Sequence, residues 1–420
     1  MTAALAYPPG EFLARLHRRR GPVVRLGFGR FRYVYLLGPE ANRFVFANHD
    51  LFLMRPAFAG LVPVDGETSL IVSDGPDHRR RRRLVQPSMH HRQVDQHVEI
   101  MTRCADEAID SWRPGEVVDA YQAFRAAIRA STLRSLFGPR LAADADFLGT
   151  QLQALLDLVD RSPDLIGLHR KLRTPLWRRA MRARELVDAR VHEEIARVRA
   201  GNETDTDDRV LAMLVHGRDD EGGGLSDEEV RDQVVTLIAA GYETTSAAMS
   251  WAIHALLTHP EVRERAAAET GADRPYLRAV VSETLRLYPP AVVSARHVAK
   301  DFEFAGAHVA AGSTLLFSPY VTQRSAEVYD DPLAFRPQRW LPGEPGHRKY
   351  GPHEFVPFGG GPHRCVGSTM ATAELTVMLG RLLDRTELRL VPQKIRPTGF
   401  AAMRPKHGLR VAVARVTDAG

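Results

Sequence analysis

The run Phe358-Gly-Gly-Gly-Pro-His-Arg-Cys-Val-Gly367 constrains this chain more than any other stretch. It is too rich in glycine and proline to be helix or strand. From Ser368 the pattern turns helical. Met370, Ala371, Ala373, Leu375, Val377, Met378, Leu379 and Leu382 are apolar, and no Pro or Gly intervenes before Gly380. Cys365 is therefore expected on a loop that feeds a helix covering 368–385. Exposed backbone N–H groups and the helix dipole favour an anionic sulfur there. The glycines let the backbone close tightly around it.

A thiolate presented this way suits one soft metal bond. Zinc needs three or four clustered Cys/His ligands, and no CxxC partner exists. An axial thiolate on haem iron needs no second protein ligand, because the porphyrin supplies four nitrogens. A free cysteine beside a turn is the plainer alternative. Against it, the run resembles the haem-ligand loop of the cytochrome P450 family: Phe, two positions, Gly, three positions, Cys, one position, Gly. The matching residues are Phe358, Gly361, Cys365 and Gly367, with His363 where that family carries a basic residue. The resemblance implies haem b (iron protoporphyrin IX) with Cys365 as its axial thiolate and metal ligand.

Ser226-Asp-Glu-Glu229 is a capping box, and Pro260 is a stop, so one helix is expected over 227–258. Halfway along lie Ala239-Ala-Gly-Tyr-Glu-Thr-Thr245. Small residues such as Ala240 and Gly241 leave room beside a flat cofactor, and a Thr244 hydroxyl bonded to the Ala240 carbonyl would open a local bulge. Taken alone, Gly, Glu and Thr occur in many helices. About 120 positions before Cys365, Glu243 and Thr244 resemble the acid–alcohol pair that handles protons during oxygen activation in the family. Many members carry Asp where this chain has Glu243.

Glu283 and Arg286 are three apart on one helical face, ordinarily a solvated ion pair of little value. By resemblance they form a buried triad with Arg339 of Phe335-Arg-Pro-Gln-Arg339, serving fold and haem loading. The resemblance also implies His78, Arg82, Arg296 and His363 as partners of the haem propionates. Arg80 and Arg81 are candidates for docking an acidic electron-transfer protein. Apolar substrate contacts are implied at 55–73, 155–178, Ile238–Thr244, Ala291–Ala295 and Phe400–Met403. The basic stretch His169–Arg179, with Leu and Trp interspersed, could touch a membrane or an acidic group on a substrate. A solvated face is the plainer reading.

Composition sets bounds. Hydrophobic residues make up 44% of 420, enough for a large core. The net charge of +6 is spread among 51 acids with no basic tail, which argues against nucleic-acid binding. Two cysteines make no disulfide framework, and Cys104 is expected to be inert core. Met1–Gly10 carries no leader pattern and no apolar run reaches ~18 residues, so a cytoplasmic protein without a transmembrane segment is expected. Alternation predicts β-rich pieces near 23–37, 296–317 and 388–413. Helical patterns cover 77–290 and 368–385, and 55–76 reads as loop. The expected fold is mainly α with small β-sheets, a single cytochrome P450 domain over 1–420, the family's triangular helical prism. Between Glu269 and Pro275 the chain is shorter than is usual in the family.

The resemblance implies a haem-thiolate monooxygenase that hydroxylates an apolar small molecule with O2. Its electrons would come from a ferredoxin and an NAD(P)H-ferredoxin reductase. Alternatives are a haem-thiolate peroxygenase, a coupling or rearrangement enzyme, and a non-catalytic haem sensor.

Overall fold

The helix Asp227–Thr258 is the longest element, and its start lies in the sequence. The Glu229 N–H donates to Ser226 Oγ at 3.2 Å, and the Ser226 N–H donates to the Glu229 carboxylate at 3.0 Å. Asp227, Glu228 and Glu229 also set negative charge at the positive end of the helix dipole. Its 32 residues span ~48 Å at 1.5 Å each. The α-helical trace runs unbroken through 239–245.

The computed structural model describes residues 4–27, 32–161, 163–201, 209–271 and 273–418. The expected hairpin residues Gly29 and Arg30 and the polar connector 204–208 lie outside them. The chain gathers into two compact units, Met1–Leu53 with Ala105–Ala126 and Thr244–Gly420, and Met54–Cys104 with Ala127–Glu243.

The first unit carries the strands. Val23–Leu26 and Tyr33–Leu36 form the expected hairpin, Val23 facing Leu36. Tyr33–Leu36 then pairs in parallel with Thr314–Phe317, which continues antiparallel to Ser294–Val298 and on to Phe52–Leu53. Val34, Leu36, Phe52, Val298, Leu315 and Phe317 pack this sheet onto Val45 and Phe46 of the helix Pro39–Ala47. A second sheet joins Val117–Asp119, Arg410–Val416 and Thr386–Leu390. The helix Ser368–Arg385 has the expected bounds. The connection after Glu269 is tied by Glu269 itself, whose carboxylate accepts the Tyr276 and Leu277 N–H groups at 2.8 and 2.9 Å. It thereby caps the helix Pro275–Leu287.

The Glu283 carboxylate is fully buried in this unit, as are Arg286 and Arg339. Arg286 donates to it from Nε and Nη2, both at 2.8 Å, and Arg339 from Nε at 3.0 Å. The Arg336 N–H and the Trp340 indole N–H add bonds of 2.9 Å each. Burial works against the Glu283 charge, but Arg286, Arg339 and the Arg336 N–H outweigh it and hold the carboxyl below its ordinary range.

The second unit is largely helical: Gly75–Val85, Ala145–Val159, Pro163–Leu172 and Pro175–Arg199. The helix Ala120–Ala143 kinks at Gly138, as its Gly-Pro pair implies. Inside the segment read as loop are two short helical pieces, Val62–Asp65 and the 3-10 turn Leu70–Val72. Side chains of the long helix fix them. Thr68 donates from N and Oγ1 to Asp232 at 2.8 and 2.6 Å, and the Leu70 N–H donates to Gln233 at 3.0 Å. Gly66 has φ +91°, and a Cβ there would overlap the Asp232 carboxylate. Asp65 is buried beside these groups. Burial is the main cause that raises its pKa to about 7; Asp232 adds to it, while Arg231 and Arg184 oppose.

Two stability effects follow. Replacing Glu283 with Gln leaves two buried guanidinium groups without a counter-charge, a loss of about 3–5 kcal/mol. A urea unfolding midpoint matching wild type would contradict the arrangement. Asp65 has a folded pKa above its unfolded one, so its stabilisation is full below ~4 and is lost as pH rises through about 7. Asp65→Asn is therefore expected to raise stability at pH 8 by up to about 4 kcal/mol, with the gain vanishing toward pH 4. Thermal melts across that window read both limits.

Candidate functional site

The cysteine loop is shaped by its glycines and by the helix Pro39–Ala47. Gly361 has φ +66°, a left-handed conformation that disfavours other residues. A Cβ there would also sit 2.8 Å from the Phe46 carbonyl oxygen. The 3-10 turn Gly361–His363 follows, and the Cys365 N–H donates to the Phe358 carbonyl at 2.9 Å. This closes the loop with the Cys365 side chain exposed. Gly367 caps the helix Ser368–Arg385, so the sulfur lies two residues ahead of the cap, close to the positive helix end.

Phe46 also meets Phe317 edge-on, with centroids 5.3 Å apart. The Arg296 guanidinium stands over the Phe317 ring, 5.2 Å from its centroid. Arg296 is buried and donates from Nη1 to the Ala295 carbonyl at 2.7 Å. The predicted propionate partner is thus joined to the thiol loop by Phe317 and Phe46. Phe358 and His363 are half-buried on that loop.

The long helix is buried over most of its length, yet it opens one strip. Leu237, Gly241 and Thr244 are half-exposed and Ala240 is exposed, at spacings of three, four and seven. Glu243 is buried beside this strip. His78 and Arg82 share a face of the helix Gly75–Val85, the first buried and the second half-buried. The Arg82 Nε donates to Gln86 at 3.2 Å. Burial, reinforced by the Arg82 charge, lowers the His78 pKa to about 4, leaving a neutral imidazole at pH 7.

Arg80 and Arg81 correct the docking expectation. Arg80 pairs with Asp219 at 3.1 Å and Glu229 at 3.0 Å, and Arg81 with Glu229 at 3.0 Å and Ser73 at 2.8 Å. They brace the start of the long helix. Cys104 is buried as expected, but not among apolar groups alone: Arg134 Nη1 approaches its sulfur at 3.2 Å. Among the residues expected near a substrate, Phe400 and Leu165 are exposed, whereas Met54, Val292 and Met403 are buried.

The residues of each unit fit a haem by their chemistry. In the first, the Cys365 thiol precedes a helix, and Arg296 and His363 can donate to carboxylates; in the second, Ala240 and Gly241 form a strip of small residues, and His78 and Arg82 carry the same kind of donors. Comparison with known proteins agrees. The cytochrome P450 family model matches residues 4–411, and the chain belongs to that family. It is 49% identical to a Mycobacterium bovis protein named as cytochrome P450 139, over 99% of this chain and 100% of that one. It is 34% identical to the cyclooctat-9-en-7-ol 5-monooxygenase of Streptomyces melanosporofaciens, over 93% of this chain and 87% of the relative. The solved structure of retinoic acid bound cyanobacterial CYP120A1 is similar with a TM-score of 0.86 and 25% identity, covering 97% of this chain and 94% of that one. The chain is a cytochrome P450 monooxygenase with the fold of that family, which carries a haem-thiolate cofactor.

Gly361→Ala is expected to displace the thiol loop, lowering the haem-to-protein ratio of purified material several-fold with helix content kept. Loading equal to wild type would contradict the packing against Phe46.

Proposed function

We propose that Cys365 is the axial thiolate of haem b and that the enzyme hydroxylates an apolar small molecule with O2. The observation carrying this reading is the exposed Cys365 sulfur on a closed glycine loop, just ahead of a helix N-terminus. The bound haem supplies the oxygen-activating chemistry and the colour by which the site is followed.

The chain's own residues take the remaining roles. Ring carboxylates are held by His78, Arg82, Arg296 and His363, each a hydrogen-bond donor in a suitable state. The neutral His78 donates through one ring nitrogen without adding charge, so Arg82 and Arg296 supply the balancing cations. The Glu243 carboxyl passes protons to the Thr244 hydroxyl, which lies on the open strip of the helix. Glu243 is buried in the helix wall beside that strip. Ala240 and Gly241 keep the strip shallow beside the macrocycle.

The substrate is proposed to be apolar and bound along Ile238–Thr244, with 55–73 and Phe400 contributing. Support comes from the relatives, one named for 5-monooxygenation of cyclooctat-9-en-7-ol and one solved with retinoic acid. Electrons are proposed to come from a ferredoxin and its NAD(P)H reductase. The whole chain acts as one catalytic domain. Cys104 and Cys365 are not joined in a disulfide, which fits a reducing, cytoplasmic setting.

The reading is tested on the reduced protein under carbon monoxide. Wild type is expected to show the red-shifted Soret band of a thiolate-bound carbonyl, and Cys365→His to lose it; a globin-like band in wild type would refute the ligand. Thr244→Ala is expected to keep consuming NADPH while product falls at least tenfold and peroxide replaces it. Unchanged product yield would remove the acid–alcohol pair from the mechanism, and peroxide-driven turnover equal to the partner-driven rate would favour a peroxygenase.

A further inference from the structure

Pro397–Thr398 pairs with Arg404–Pro405 in a two-stranded sheet of its own, and Gly399–Met403 forms the tip between them. Phe400 on that tip is 63% exposed, while Ala402 and Met403 are buried. Gly399 has φ +107°, and a Cβ there would fall 2.1 Å from the Ala402 carbonyl oxygen, so the turn requires glycine. So short a ladder cannot hold its tip by itself. Bonds from distant parts of the chain do so. The Met403 N–H donates to the Pro290 carbonyl at 2.9 Å, and the Trp251 indole N–H donates to the Met403 carbonyl at 2.8 Å. At the other end of the tip, the Tyr7 hydroxyl donates to the Gly399 carbonyl at 2.9 Å. Tyr7 is itself fixed. Its N–H donates to the Tyr320 hydroxyl at 3.0 Å, which donates to Glu11 at 2.7 Å. The buried Arg324 donates to Glu11 at 3.2 Å and to the Leu5 carbonyl at 3.0 Å. The Leu5 N–H donates to the Tyr288 hydroxyl at 3.1 Å, and the Tyr288 ring stacks on Trp251 with centroids 4.8 Å apart. The two anchors of the tip, Tyr7 and Trp251, are thus joined through Tyr288, all within the first unit.

We infer that Tyr7 is a positioning residue for the substrate site: its hydroxyl, bonded to the Gly399 carbonyl, holds the Phe400 ring where an extended apolar ligand meets it. This rests on the reading of Phe400 as a substrate contact. An exposed ring on a loose tip must be ordered when a ligand binds, and that ordering subtracts from affinity. A tip tied at Gly399 and at Met403 has met most of that cost before the ligand arrives. The bond from Tyr7 ends on backbone, so the residue selects ligands without touching them. Ligands too short to reach Phe400 do not feel it. The N-terminal segment from Leu5 to Glu11, remote in sequence from every substrate-contact candidate, thereby becomes part of what sets ligand preference.

Imidazole, N-butylimidazole and N-dodecylimidazole binding to the ferric haem-loaded protein test this, because the ring nitrogen takes the iron and the alkyl chain reaches outward to different lengths. Affinity is read from the Soret shift. Phe400→Ala is expected to weaken N-dodecylimidazole about tenfold, the worth of one aromatic contact, and to leave imidazole unchanged. Tyr7→Phe keeps the ring of residue 7 and is expected to weaken N-dodecylimidazole roughly fivefold, again with imidazole unchanged. In the double variant the Tyr7 effect is expected to vanish, because no ring remains to be placed. Hydrogen exchange of the amides at 399–403 is expected to speed about tenfold in Tyr7→Phe, with haem content kept. Exchange equal to wild type overturns the inference, as does equal weakening of imidazole and N-dodecylimidazole. Additive losses in the double variant overturn it too, since Tyr7 would then act elsewhere. A silent Tyr7→Phe beside a weakened Phe400→Ala sinks this inference alone. Phe400→Ala without effect on any probe sinks it together with the reading of Phe400 as a substrate contact.

Discussion

A buried carboxylate holds the first unit in register. Glu283 has no access to solvent and accepts five hydrogen bonds, from Arg286, Arg339, Trp340 and the Arg336 backbone. Those bonds are the condition for its charge, and its charge is the condition for two buried guanidinium groups. The remaining Arg286 donors go to the carbonyls of Gln323, Pro332 and Ala334 at 2.7, 2.8 and 3.0 Å. A segment with little regular structure is thereby fixed without a sheet or helix to organise it.

From that network a line of contacts reaches the thiol loop. The Gln323 side chain is fully buried and donates to the Leu285 and Arg286 carbonyls, both at 3.0 Å. Its oxygen accepts the Val356 N–H at 2.8 Å. The Val356 carbonyl in turn accepts the Gly359 N–H at 3.1 Å, one residue past Phe358, whose carbonyl accepts the Cys365 N–H. Alongside, Asn42 donates to Thr322 at 3.1 Å and to the His353 carbonyl at 2.9 Å. The sulfur is therefore placed by backbone hydrogen bonds that end on buried side chains. This explains how a loop rich in glycine, which alone would sample many conformations, presents one.

Local grammar carried far in this chain. The capping box at Ser226, the stop at Pro260 and the apolar spacing after Ser368 gave element boundaries, because caps, stops and periodicity act over a few residues. The triad was legible only through family resemblance, since nothing local tells a buried Glu283–Arg286 pair from a solvated one. Gln323, Trp340 and Asp65 were missed for a related reason. Their roles depend on partners tens of residues or more away in the chain, such as Val356, Glu283 and Asp232. Arg80 and Arg81 show the reverse error. A run of five arginines looks like an open basic face, but Asp219 and Glu229, about 140 to 150 positions later, claim two of them.

Much of the chain's positive charge is similarly internal. Arg231 is buried between Asp188 and Asp232, Arg385 between Asp106 and Asp110, and Arg324 beneath Tyr288 and Tyr320. Guanidinium suits these places because it stays charged when buried and spreads five donors over several acceptors. The preference for Arg over Lys in this sequence is thus partly structural. A net charge of +6 says little about where a field would be felt. What decides that is the subset of cations without an acid nearby. Screening reaches only ~8–10 Å at physiological salt, so the paired arginines elsewhere neither add to the field of that subset nor cancel it.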